Sequence, residues 1–447
     1  MLENDFHVST EGKASLVSLI CPKIEGHESA EETEKSLQEL KELLRTLGIE
    51  NGEKHIQKRS SVDPATILGK GKIEETAEKA KASGSSLLVF DIELTASQIR
   101  NIKQLTGLSV VDRVHVILEI FAAHAQTKEA KIQIEIARLQ YILPRLMGFW
   151  THLSRQRGGI GVKAGEGEQQ IELDRRIIQD RIEYYKKELK NVEKSRQQQR
   201  KRRTKKAVTA ALVGYTNAGK SSLMNRLCRV DILEEDKLFA TLDSTYRTLN
   251  PDTHPPMILI DTVGFISNLP NTLIDGFKTT LESALESDLL INVCDISDPN
   301  YEKHLSVTQE VLQELGVEDK EQLIVFNKKD LLNDPIRTKL IKRTYPNSFV
   351  VSSFNNEDTG ELREHIINYF LEKQGKYDLF IPYSDGTAHS LLASKTNIIR
   401  QENYEKGIFY RIRVPDFIFE PLNLKKYILG PEDERPAELP QNFKDFN

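Results

Sequence analysis

Cysteine is scarce in this chain, and the few present form no pattern. Cys21, Cys228 and Cys294 are the only three in 447 residues, and their spacing fits neither a disulfide framework nor a metal-ligand set. A reducing compartment suits them, and the cytoplasm is the expected location. Long apolar runs are missing too: none approaches the roughly 18 residues of a membrane span. Glu3 and Asp5 precede any basic residue, so no signal peptide is expected. With aromatics at only 7% and charged residues at 29%, much of the surface must be wet. A net charge of -5 excludes a molecule that binds polyanions over its whole surface. His115, His124 and His152 lack metal-ligand spacing and read as packing or surface residues.

The hydrophobic fraction of 38% is enough for several cores, and the length suits roughly two to four domains. Residues 1–110 read as a small α/β domain. Ser15 to Cys21 is a strand candidate, and Ser29 to Leu47 reads as a helix with Leu37, Leu40, Leu44 and Leu47 on one face. A helix from Ile73 to Ala82 and a strand from Ser86 to Phe90 follow. Gly69-Lys70-Gly71 could hold a phosphate, or be a plain tight turn before the helix.

Residues 111–206 read as a long helical hairpin. Ile132, Ile136, Leu139 and Leu143 recur at helical seam spacing, and Ile178, Ile182, Tyr185, Leu189 and Val192 do the same. The two stretches would pair as an antiparallel hairpin, or else pack separately on a globular core. Between them lies a tip segment with five glycines, running from Ser154 to Glu168. Arg155, Arg157 and Lys163 make it positive, and Gly158, Gly159 and Gly161 permit close backbone approach to a ligand. Eight of thirteen residues from Lys194 to Lys206 are basic and none is acidic. Arg200, Arg202 and Arg203 within that run are candidate phosphate contacts.

Residues 207–373 carry the strongest signal. Val208 to Val213 is an apolar strand leading into Gly214-Tyr215-Thr216-Asn217-Ala218-Gly219-Lys220-Ser221, with Ser222 following and a helix starting at Lys220. This is the strand–loop–helix context that a phosphate-binding loop requires. Backbone N–H groups would surround the β-phosphate, Lys220 would reach the β- and γ-phosphates, and the Ser221 hydroxyl would bind Mg²⁺. A second buried strand, Met257 to Ile260, ends in Asp261-Thr-Val-Gly264. Asp261 would support Mg²⁺ through water, and Gly264 would offer its N–H to the γ-phosphate. Thr241 is the expected switch threonine on Mg²⁺, with Thr245 as the alternative. Asn327-Lys328-Lys329-Asp330 follows a third apolar strand. Asp330 would accept two hydrogen bonds from guanine, Asn327 would tie the base loop to the phosphate loop, and the Lys328 stem would cover the purine. Ser352 and Ser353 should close over the base. GTP and GDP are thus the expected substrate and product.

Where many such switches carry a water-orienting glutamine after Gly264, this chain has Phe265. Slow intrinsic hydrolysis, stimulated by a partner, is expected. Residues 374–447 suggest a small α/β domain. Leu379 to Pro382 and Ile408 to Val414 read as strands around an Asp385-capped helix.

These motifs resemble the HflX-type GTPases, the ribosome-associated branch near the Obg group. Gly214-Tyr-Thr-Asn and Asp261-Thr-Val-Gly-Phe265 are the specific forms, supported by Asp112-Arg113, Leu143-Pro-Arg-Leu146 and Ser154-Arg-Gln-Arg-Gly-Gly-Ile-Gly161. The likeness covers nearly the whole chain. It implies binding to the large ribosomal subunit near the peptidyl-transferase region, and separation of stalled or idle ribosomes under stress. It also implies ribosomal RNA contact by the loop from Arg155 to Glu168. ATP binding by the amino-terminal domain and RNA unwinding are further family properties. A monomer is expected. The family's Gly-x-Gly-Pro-Gly-Glu-Thr-Gln reads here Gly161-Val-Lys-Ala-Gly-Glu-Gly-Glu-Gln169, without the proline and threonine. Two other readings compete: a GTP-regulated scaffold whose hairpin binds protein, and ATP-driven RNA remodelling by residues 1–110.

Overall fold

The computed structural model describes residues 12–146, 164–204, 207–229, 239, 244–266, 286–317, 319–332 and 335–429. The first layer comprises β1 (Lys13–Ile20), α1 (Ala30–Thr46), β2 (Glu50–Lys58), α2 (Lys70–Ala82), β3 (Ser85–Phe90), α3 (Ala96–Thr106), β4 (Ser109–Asp112) and α4 (Arg113–His124). Its four strands run parallel in the order β2-β1-β3-β4. β1 is central and buried on both faces, which is why its sequence is an almost continuous apolar run. Ser29 caps α1 with a reciprocal Ser29–Glu32 box, and Leu37, Leu40, Leu43 and Leu44 seat its inner face. Each such leucine contributes about 2 kcal/mol on burial. Gly69 caps α2, which starts at Lys70, three residues ahead of expectation, and the Gly69 N–H donates to Gln57 Oε1 at 2.9 Å. That donor is therefore already engaged within the protein.

α5 (Lys128–Ile142) and α6 (Ala164–Thr204) pack against each other. Ile132, Ile136 and Leu139 meet Ile178 and Ile182 in one core, with Leu143, Tyr185 and Leu189 beside it. Ala130, Ile134, Ala137, Tyr141 and Ile142 are buried as well, because α5 also lies on the first layer. α5 is therefore both half of a helical pair and part of a globular core. α6 starts at Ala164, so Gly165 and Gly167 lie within the helix instead of the expected tip loop. Their neighbours Ala164, Glu166, Glu168 and Gln169 are strong helix formers, which offsets the roughly 1 kcal/mol cost of each glycine. Arg155, Arg157, Gly158, Gly159, Gly161 and Lys163 lie outside the described residues, as do the side chains of Arg200, Arg202 and Arg203.

The next unit is a six-stranded sheet ordered β10-β9-β8-β5-β7-β6. It is built from β5 (Val208–Val213), α7 (Lys220–Leu227), β6 (Thr245–Asn250), β7 (Met257–Asp261), β8 (Leu289–Asp295), α8 (Tyr301–Glu314), β9 (Gln322–Asn327), α9 (Pro335–Thr344), β10 (Phe349–Val350) and α10 (Asn356–Glu372). All pairs are parallel except β6 with β7. The carboxyl ends of β5, β7 and β9 thus release three loops on one sheet edge, where open α/β sheets bind ligands.

β11 (Gly375–Pro382), α11 (Gly386–Lys395), β12 (Asn397–Tyr404) and β13 (Gly407–Val414) complete the fold as an antiparallel sheet with a helix on one face. Asp385 caps α11 by accepting from Ala388 N. The Asn397 amide exchanges two hydrogen bonds with the His254 backbone, at 2.7 and 2.6 Å, joining this sheet to the preceding unit. Among the described residues no helix is long and apolar enough to cross a membrane.

Candidate nucleotide site

The phosphate loop bends out of β5 at Gly214 and turns into α7 at Gly219, whose φ of 86° lies in the left-handed region. A Cβ on Gly219 would lie 2.3 Å from Asn327 Nδ2, so both conformation and space demand glycine there. Lys220 folds back over the loop and donates from Nζ to the carbonyls of Gly214 and Tyr215, at 3.0 and 2.8 Å. Burial pulls its ammonium down to about 8, with Asp261 pushing the other way. A buried cation held only by carbonyls is well prepared for an anion. Asn217 is exposed in the left-handed region, Ser222 is half-buried, and the Thr216 and Ala218 positions are buried.

Ser221 Oγ donates to Asp261 Oδ2 at 2.6 Å. The hydroxyl and carboxylate converge as hard oxygen donors, the set that a small divalent cation takes with water. Thr245, at the start of β6, pairs in register with Asp261 and is fixed in the ladder; Thr241 lies outside the described residues. No cluster of three or more His, Cys, Asp or Glu side chains with metal-ligand geometry occurs among the described residues.

The segment after β7 lies across the phosphate loop. Phe265 N donates to Gly214 O at 3.1 Å, and Thr216 N donates to Phe265 O at 2.7 Å. Gly264 sits so close that a Cβ would be 2.8 Å from Thr216 Cα and 2.9 Å from Lys220 Nζ. The Phe265 side chain is 1% exposed, in a core that also contains Val263, Ile266, Tyr215 and Phe121. It packs in this core and presents no group to a water molecule.

Asn327 ties the base side together. Its Nδ2 donates to Ala218 O at 3.0 Å, and its Oδ1 accepts from Ser353 N and Oγ, at 3.1 and 2.9 Å. Asp330 accepts from Ser352 Oγ at 2.5 Å. Lys328 Nζ pairs with Asp295 at 2.8 Å, an anchor that the strand-and-motif reading missed. Asp358 was missed as well: it accepts from Ser352 N and pairs with Lys329, both at 2.9 Å. Its position in the first turn of the Asn355-capped helix was the only available signal.

Similarity to known proteins covers most of the chain. A family described as GTP-binding GTPase N-terminal matches residues 34–122, and one described as GTP-binding GTPase Middle Region matches 124–203. A third, described as 50S ribosome-binding GTPase, matches 209–328. The GTPase HflX of Lacrimispora saccharolytica is 41% identical over 394 residues, covering 88% of this chain and 92% of that protein. The GTPase HflX of Alkalihalophilus pseudofirmus is 42% identical over 386 residues, 86% of this chain and 89% of its own. That of Caldanaerobacter subterraneus subsp. tengcongensis is 38% identical over 403 residues, 90% and 92%.

Proposed function

Because this chain belongs to the HflX family of GTPases, we propose that it works as a ribosome-coupled switch: it binds GTP with Mg²⁺ and associates with the large ribosomal subunit through ribosomal RNA. In that role it promotes dissociation or rescue of stalled or idle ribosomes under stress. The observation that carries the nucleotide reading is the Asn327 bridge from Ala218 O to Ser353, which makes phosphate cradle and base loop one unit. Lys220 holds the β- and γ-phosphates, and the N–H groups from Gly214 to Ser222 line the cradle. Ser221, and Asp261 through water, would hold Mg²⁺, which would offset phosphate charge. Thr241 would complete that shell, with Thr245, which pairs with Asp261, as the alternative. Asp330 exchanges Ser352 Oγ for guanine N1–H and the 2-amino group, the Lys328 stem covers the purine, and Ser352 and Ser353 close the loop. Gly264 N–H senses the terminal phosphate.

No glutamine is available at Phe265, so hydrolysis waits for orienting groups from the partner, worth about 10⁵ in rate or roughly 7 kcal/mol. Ribosome contact is assigned to the tip residues Arg155 to Lys163 and to the basic end of α6 at Arg200, Arg202 and Arg203. The working units are the amino-terminal α/β domain 1–110, the helical hairpin 111–206, the nucleotide unit 207–373 and the terminal α/β domain 374–447. The chain acts as a monomer in the cytoplasm. The scaffold reading loses its main feature, because the Ile178–Ile182 seam is covered by α5. The Gly69 N–H is engaged by Gln57, which supports the turn reading of Gly69-Lys-Gly71 over an ATP site. The test is GTP turnover with and without purified large subunits, beside a Lys220→Ala control. A large rise that needs Lys220 is expected; no subunit response and no GTP-dependent cosedimentation would sink the ribosomal role.

A further inference from the structure

Tyr215 stands inside the phosphate loop, yet its side chain leaves the nucleotide unit. Its hydroxyl donates to Glu39 Oε1 of α1 at 2.5 Å, across 176 residues of sequence. Its ring stacks on His304 of α8, with centroids 4.0 Å apart and planes 11° from parallel. Glu39 is bonded in turn to the Arg113 guanidinium, which donates to Asp91 Oδ1 at 3.0 Å; Asp91 meets His27 Nε2 at 3.1 Å. Arg113 and Asp91 are each 2% exposed. This chain of charges fills the carboxyl edge of the amino-terminal sheet beside β1 and β3. In open parallel sheets that edge is where a ligand sits; here a tyrosine from another unit reaches it.

The backbone of the same residue meets both groups that must respond to a terminal phosphate. Tyr215 O accepts from Lys220 Nζ, and Tyr215 is bridged to Phe265, next to Gly264. We propose that Tyr215 is a positioning residue through which Glu39 and Arg113 hold the phosphate loop in the arrangement that favours GTP over GDP. Gly264 lies beside Lys220 with Phe265 docked on Gly214 and Thr216, and in that arrangement the Gly264 N–H would offer a γ-phosphate a bond that a diphosphate cannot take. A tether that stabilises this docking therefore strengthens GTP binding more than GDP binding. By reciprocity, a bound γ-phosphate tightens the grip of the nucleotide unit on the amino-terminal layer.

This inference rests on the guanine-nucleotide reading above. The experiment measures dissociation constants for GDP and a non-hydrolysable GTP analogue, with Mg²⁺, for the full chain, Tyr215→Phe, Glu39→Gln and the double variant. Tyr215→Phe removes one oxygen and leaves the ring on His304, and thermal midpoints identify any variant that fails to fold. Each single variant should lower the GTP-to-GDP preference by about five- to tenfold, as typical couplings do, and the double variant should lose no more than the larger single loss. If Tyr215→Phe folds and leaves the preference unchanged or raises it, the proposal is overturned. Equal loss of both nucleotides would also overturn it, because that is the signature of a merely structural contact. A wild-type chain that bound neither nucleotide would instead defeat the function proposed above.

Discussion

Asn327 and Ala218 are 109 residues apart, and a 3.0 Å hydrogen bond from Asn327 Nδ2 to the Ala218 carbonyl fastens them. The strand that leads to Asp330, the proposed base reader, is therefore fastened to the phosphate loop without a nucleotide. Asn327→Ala removes this bond and the two that Ser353 donates. Each is worth about 1 kcal/mol net. GTP and GDP affinity should fall together, by about ten- to a hundredfold, with their ratio unchanged. Titration with either fluorescent nucleotide measures this; affinities within twofold of wild type would show that the loop holds its shape alone.

The same pair shows what could be read in advance. Gly214 to Ser221 and Asn327 to Asp330 are short strings whose chemistry is local: an apolar strand, then a loop whose residue types are dictated by phosphate or base. Nearly the whole nucleotide edge was legible for that reason. β2 was not, because Glu50 to Lys58 is a polar edge strand with His55 alone fully buried; pairing with β1 forms it, and period-two hydrophobicity is missing. β12 is a second polar edge strand with the same difficulty. The Tyr215–Glu39 contact had no local signal at all. Glu39 is one of several glutamates on the helix read from Ser29 to Leu47, and its pairing with Arg113 and Tyr215 depends on how α1 packs in the fold.

Lys220 gives a pH signature. Burial holds its ammonium near 8, below its ordinary 10.5, and bound phosphates restore the cation. Below pH 8 the ammonium is already present, so affinity should be flat with respect to this group. Above pH 8 the free protein has lost the proton and must regain it, so affinity should fall by up to about tenfold per pH unit. Calorimetry of GDP binding near about pH 8.5, in buffers of different ionisation heat, should show uptake of most of one proton. No uptake there would mean that Lys220 is not the phosphate cation, or that it is not desolvated in the free protein.

His304 provides a second. Burial lowers its pKa below 6.5, against the upward pull of Asp298, Glu39 and Asp295, while Lys303 lowers it further. A half-buried neutral histidine leaves stability intact above about pH 6.5; below it the unfolded form takes the proton first, and stability falls as pH falls. The stack on Tyr215 should therefore weaken between pH 6.5 and the depressed value. A histidine titration followed by NMR should place His304 below 6.5, and Tyr215→Ala, which uncovers one ring face, should move it back up. An unshifted titration in wild type would remove the basis for an acid-sensitive interface.

Phe265 occupies the position where a glutamine would orient water, and Phe265→Gln is the obvious attempt to restore one. The side chain there is 1% exposed and lies in the core that joins the nucleotide unit to α4. Phe121 in that core meets Phe239 edge-on, with centroids 4.6 Å apart, so Phe239 and Phe265 share one apolar packing. A glutamine would leave a cavity and strand a buried amide; large-to-small changes at buried phenylalanines cost about 3–5 kcal/mol. The backbone bonds from residue 265 to Gly214 and Thr216 also direct the side chain into the core and away from the γ-phosphate. Phe265→Gln should therefore lower stability by about 3 kcal/mol and leave intrinsic hydrolysis within about threefold of wild type, under 1 kcal/mol in barrier. Phe265→Leu, which stays apolar, should cost less than half as much stability. Urea midpoints and single-turnover hydrolysis give both readings. A glutamine variant of undiminished stability that hydrolysed GTP tenfold faster would show that Phe265 swings toward the phosphate, and that its buried position is not the one that governs turnover.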